Sequence, residues 1–169
     1  MQKVIGNIWD LSDSHWIIIP TNYGWTRRGA NVMGRGLAKQ AALKYPHIPL
    51  FYGKICRDMA YSVTLTGSYA PLPFVADTNT RLIFFVVKPL NKDAPNLSWQ
   101  RPATLPTIEA SLRCLIDWMY EADKPLVAMP LVGCGNGGLD PKVVVPVLED
   151  YLKNFDNVVL VYPGEKSSE

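Results

Sequence analysis

The sequence predicts a layered α/β fold, and three observations carry that prediction. Four short runs, WIII (16–19), LIFFVV (82–87), LVAM (126–129) and VVLV (158–161), are apolar without interruption. Unbroken apolar strands are buried on both faces, whereas a half-exposed strand alternates. Between the runs lie stretches with helical spacing, and the second half reads strand, helix, strand, helix, strand, the order of a sheet covered by helices. Finally, 169 residues, 48% of them apolar, can build one core without disulfides or metals.

The elements follow in chain order. Residues 4–5 suggest a first edge strand, and 16–19 a buried one. The Ala-rich stretch 36–45 predicts a helix. Residues 61–65 (YSVTL) suggest another edge strand from their aromatic and β-branched content. The stretch 105–120 places Ile108, Leu112, Leu115, Ile116 and Met119 on one helical face, with Thr104 and Pro106 as its start signal. A last helix over 141–155 follows Asp140, a good N-cap with proline next to it. Pro146 then implies a late start or an irregular first turn. Residues 1–163 form one expected domain, followed by a polar tail, 164–169.

Composition excludes several classes. A net charge of +2 argues against nucleic-acid binding by bulk electrostatics. The three cysteines are far apart without a CxxC pair, so no metal site is expected, and a reducing, cytoplasmic setting fits. The N-terminal MQKVIGNIWD lacks the pattern of a signal peptide, and no apolar run reaches spanning length, so no membrane partner is expected.

Ligands of layered α/β folds sit beyond the carboxyl ends of the strands. Two of the segments there are rich in glycine: GANVMGRGLA (29–38), which leads into a helix, and PLVGCGNGGLD (130–140), with four glycines in six residues. Bare backbone lets N–H groups approach a ligand, and a helix N-terminus favours anions. The first segment is not a Walker A loop, because Arg35-Gly36 stands where Lys-Ser/Thr is required. Nor is it a dinucleotide fingerprint, because Lys39 occupies the third glycine position. Paired, the two segments suggest opposite walls of one phosphate-binding cleft.

Five motifs in order resemble the macrodomain family of ADP-ribose-binding modules. They are Gly6-Asn7-Ile8, the strand end Ile18–Asn22, MGRGLA (33–38), Val87-Lys88 with Trp99-Gln100-Arg101, and GCGNGGLD (133–140). The last resembles the loop of the DNA ADP-ribosyl glycohydrolase antitoxins. The stretch 34–46 is similar to the ADP-ribose 1″-phosphate phosphatases. In relatives that remove ADP-ribose from glutamate, an aspartate stands where this chain has Gly137. The segment 23–31 is longer than in either branch.

The resemblance implies a three-layer α/β/α macrodomain with a mixed central sheet, and a cleft for ADP-ribose without any cofactor. Asn7, Ile8 and Tyr162 would lie at the adenine. Gly34, Arg35, Gly36 and Leu37 would face the diphosphate from one side. Val132, Gly133, Cys134, Gly135, Asn136 and Gly137 would face it from the other. Asn22 and Asp140 are the expected catalytic residues, the first positioning the distal ribose or a water, the second acting as general base or simply capping a helix. Lys88 and Arg101 suit phosphates or a larger target. Tyr23 and Trp25 suit either a lid or the anchor of their loop. Cys134 reads as small buried packing rather than a nucleophile, since neither histidine is near in sequence.

The implied activity is hydrolysis at the 1″ position of an ADP-ribose derivative. The substrate would be a phosphate monoester or an ADP-ribosylated protein or nucleic acid, with a slight lean to the phosphatase-like branch. The alternative is a module that binds ADP-ribose without turnover.

Overall fold

The computed structural model describes residues 1–66 and 72–164, with side chains of 63–66 excepted. Residues 165–169 of the expected tail lie outside the described residues. Six strands form one sheet: β1 (Gln2–Ile5), β2 (Trp16–Asn22), β3 (Val75–Asp77), β4 (Leu82–Lys88), β5 (Val127–Met129) and β6 (Val158–Tyr162). Their order is β1-β6-β5-β2-β4-β3. Neighbours are parallel except for the antiparallel pair β3–β4, so the sheet is mixed as expected.

Four helices cover it: α1 (Gly36–Lys44), α2 (Ile48–Thr66), α3 (Leu105–Glu121) and α4 (Pro141–Leu152). Alternation along β4 separates two cores. Leu82, Phe84 and Val86 pack with residues of α1 and α2, while Ile83, Phe85 and Val87 pack with α3 and α4. Both faces of β4 are therefore buried, which is why its sequence never alternates.

Residues 61–65 are a correction: they are the last turns of α2, not a strand. Ile48, Tyr52 and Cys56, four residues apart, are fully buried along one face of that helix. The Tyr52 ring stacks on Phe84 with centroids 4.6 Å apart. Once packing fixes these turns, extending the helix adds a hydrogen bond per residue and outweighs local strand propensity. β3 escaped notice because three residues carry little pattern.

The predicted helix starts hold. The Thr104 side chain accepts from Thr107 N, and the Asp140 side chain accepts from Lys142 N. Helix α4 begins at Pro141 and carries Pro146 inside it. Pro146 has no N–H for the Lys142 carbonyl, and both residues are exposed, so water can replace the missing donor. No helix among the described residues is long and apolar enough to cross a membrane.

Candidate functional site

A cleft of about 620 Å³ opens at the carboxyl ends of β2, β4 and β5. Its floor is Pro20, Thr21 and Asn22 of β2 with Val87 and Lys88 of β4. One wall is Gly34, Arg35, Gly36 and Leu37. The opposite wall is Gly133, Gly135, Asn136 and Gly137. Trp99 and Gln100 also line it. The two glycine-rich segments thus face each other: a Cβ built on Gly36 would lie 3.4 Å from Asn136 Nδ2.

The walls are donors without partners. The N-cap of α1 is Arg35, whose side chain makes no capping bond, so the first-turn N–H groups stay free for a ligand. Among the described residues, the backbone N–H groups of Gly135, Asn136 and Gly137 also have no acceptor in the chain. Some glycines here are demanded by the fold. Gly133 has φ +76, and a Cβ on it would strike Ile108. Gly34 and Gly135 are different, since a Cβ on either would meet nothing within 4 Å. Their lack of a side chain leaves the cleft open rather than satisfying a turn.

The charged residues lining the cleft are Arg35 and Lys88, and no carboxylate joins them among the described residues. Such a lining suits an anion. Lys88 Nζ donates to the Trp99 carbonyl at 2.8 Å. Its pKa is lowered, first by burial and then by the neighbouring Arg35 charge. A register shift between Thr21 and Asn22 pairs Asn22 with Lys88 across β2 and β4, so both reach the floor of the cleft.

Asn22 is buried and held by its own loop. Its Oδ1 accepts from Gly24 N at 3.0 Å and from Asn31 Nδ2 at 3.2 Å, and its Nδ2 donates to the Val32 carbonyl at 3.0 Å. One amide N–H remains for a ligand. Asn31 Nδ2 also donates to the carbonyls of Asn22 and Gly24, both at 2.9 Å. The segment 23–31 is anchored rather than a lid. Tyr23 is in the core, where burial pushes its hydroxyl pKa up to about 12. Trp25 lies against Tyr61 at 6.1 Å.

The other expected site residues lie outside this cleft lining. Asn7 Oδ1 accepts from Trp9 N, capping a short 3-10 helix, Ile8–Leu11. Ile8 is buried in the core beside α1 and α2, and Tyr162 packs toward α3 and α4. Val132 is fully buried. The thiol of Cys134 contacts the Val132 carbonyl at 3.6 Å, and burial raises its pKa, which suits packing. Asp140 Oδ1 accepts from Lys142 N at 2.9 Å as the cap of α4, one of the two roles expected of it. Arg101 is exposed and likewise outside the lining. Sequence reasoning underrated Lys88 and Trp99. Their signal was position, since both lie in the segment beyond a buried strand.

No protein-family model matches the chain. A DNA ADP-ribosyl glycohydrolase of Mycobacterium tuberculosis is 31% identical over 138 residues, which cover 81% of this chain and 36% of the relative. The chain therefore spans about a third of the length of that curated relative. The solved macrodomain of Mycobacterium tuberculosis DarG matches with a TM-score of 0.68 and 26% identity, covering 97% of this chain and 99% of that one. The structure of Thermosipho africanus DarTG in complex with ADP-ribose matches at 0.69 with 19% identity, covering 100% of this chain and 43% of that one. In its six-stranded mixed sheet, its paired glycine loops and its likeness to these proteins, the chain has the macrodomain fold.

Proposed function

We propose that the chain is a hydrolase that releases ADP-ribose from nucleic acid by cutting the bond at the 1″ carbon of the distal ribose. The cleft carries the reading: two facing walls of free backbone N–H groups, with two cations and, among the described residues, no carboxylate in its lining. The diphosphate lies between 34–37 and 133–137, at the α1 N-terminus, where a helix favours anions. The distal ribose meets the remaining N–H of Asn22. Adenine extends toward β6, near Asn7, Ile8 and Tyr162. The names of the relatives favour a DNA-linked substrate over the phosphatase-like one.

In the reaction, water adds to the 1″ carbon, and the bond to the attached group breaks with its electron pair leaving on that group. Lys88, protonated, gives a proton to the departing atom, and the attacking water returns one. Asn22 holds the ribose, and the loops hold the phosphates, so the reacting carbon is fixed beside Lys88. Asp140 stays a helix cap.

The test uses single-stranded DNA carrying ADP-ribose on a base, with free ADP-ribose and unmodified DNA as products. Wild type should release both. Lys88→Ala should lower kcat by roughly 100-fold or more, while ADP-ribose affinity by calorimetry changes little. A wild type that binds ADP-ribose but cleaves neither this DNA nor ADP-ribose 1″-phosphate would be the binding module instead.

A further inference from the structure

We infer that Ser98 is a positioning residue for the proposed reaction: it clamps the segment after β4 into an arch, and the arch presents the Trp99 carbonyl that holds the Lys88 ammonium. The inference rests on the assignment of Lys88 as proton donor given above and adds what keeps that donor in place.

A lysine side chain has several rotatable bonds, and holding it still costs rotamer entropy. Among the described residues, the one hydrogen bond of Lys88 Nζ goes to the Trp99 carbonyl. It leaves the other two N–H bonds of the ammonium for the cleft. Burial and the Arg35 charge work against that ammonium, and a carbonyl acceptor works for it. The carbonyl serves only if the backbone behind it is fixed. The Trp99 side chain joins neither core, so core packing does not supply the anchor.

Ser98 supplies it. The residue is fully buried within the short 3-10 helix Pro95–Gln100. Its Oγ accepts from Asn91 N at 3.0 Å, which ties the end of the segment to its start. Asn91 Oδ1 in turn accepts from Asp93 N at 3.2 Å and from Ala94 N at 3.1 Å. Residues 88–99 thus close into an arch whose two ends meet where Nζ meets the carbonyl. A Cβ built on Gly24 would lie 2.7 Å from Ser98 Cβ and 2.4 Å from the Pro95 carbonyl oxygen, so the arch sits directly on the loop that follows β2. Serine meets both demands: it is small toward Gly24, and it offers an acceptor toward Asn91. Alanine would keep the size and lose the acceptor, leaving the Asn91 N–H unpaired. Asn22 would keep its bonds to Asn31 and to the Val32 carbonyl, so a loosened arch frees Lys88 rather than Asn22.

On the same ADP-ribosylated DNA, at a temperature well below Tm, Ser98→Ala should lower kcat roughly 10-fold or more, with ADP-ribose affinity in calorimetry unchanged. Asn91→Ala loosens the same arch from its other end and should share the loss. Asn91→Asp keeps the accepting oxygen and should recover most of it. Because Ser98 acts through Lys88, adding Ser98→Ala to Lys88→Ala should cost little more. Losses that multiply in the double variant overturn the inference, and so does an unchanged kcat in folded Ser98→Ala and Asn91→Ala. A second readout does not need turnover. With isotope-labelled lysine, NMR should show the Lys88 ammonium protected from exchange with water, and Ser98→Ala should abolish that protection. Protection that survives in the variant overturns the inference. If Ser98→Ala abolishes it while Lys88→Ala cleaves as fast as wild type, or while wild type cleaves nothing, the arch stands and the assignment of Lys88 as proton donor fails.

Discussion

In the proposed reaction Lys88 is the proton donor, and two independent effects act on its ammonium. Burial and the Arg35 charge both lower its pKa from the ordinary 10.5. It therefore loses its proton at a lower pH than an exposed lysine does. A reaction that needs the protonated form is at full rate below that depressed pKa and slows as pH rises through it. Arg35→Gln removes the second cause, so the alkaline limb of kcat should move to higher pH while staying below that of a free lysine, because burial remains. A limb that moves down, or fails to move, in a pH–rate profile would remove Lys88 as the proton donor. At this scale the sequence offered residue types but not their partners. Asn22 was legible as the end of a buried strand, yet nothing local showed that three of its hydrogen bonds serve its own loop.

At the scale of elements, the α1 and α4 N-termini both follow a glycine-rich loop and behave oppositely. Asp140 caps α4, whereas Arg35 leaves α1 uncapped beside a bare loop. Asp140→Ala should lower stability by about 1 kcal/mol, a fall in Tm of about 2–4 °C for a chain of this size, and leave turnover intact. Loss of turnover at unchanged Tm would return Asp140 to the chemistry. Gly34→Glu tests the other end. Its Cβ enters open space, so the fold should survive, but the carboxylate would meet the diphosphate in the proposed pose. Like charges brought together cost several kcal/mol, so ADP-ribose affinity should fall by roughly 100-fold or more in calorimetry, with an unchanged circular dichroism spectrum. Both helix ends were readable because a cap depends on a few consecutive residues. The continuation of α2 through 61–66 was not, since it depends on Tyr52 stacking against β4.

Across the whole molecule, the site is braced from a distance. A Cβ on Gly53 of α2 would lie 2.1 Å from the Gly29 carbonyl and 2.4 Å from Asn31 N. The loop 23–31 therefore rests directly on that helix, and Asn31 passes its position to Asn22. Gly53→Ala must push the loop away, at a stability loss of about 1–3 kcal/mol. It should also weaken ADP-ribose binding, although Gly53 is not part of the cleft lining. Unaltered affinity in a folded Gly53→Ala variant would mean that the loop does not position Asn22.

The sequence alone determined the layered α/β class, the starts of α3 and α4, the buried strands and the two glycine loops, together with the likeness to macrodomains. Each of these is written in local periodicity, in caps or in short motifs. Only the tertiary structure decided that the loops face each other and that Asn22 meets Lys88 across a register shift. It also set Trp99 apart from both cores. Those relations depend on which strands neighbour one another and how they are offset, and strand pairing joins residues that are far apart along the chain.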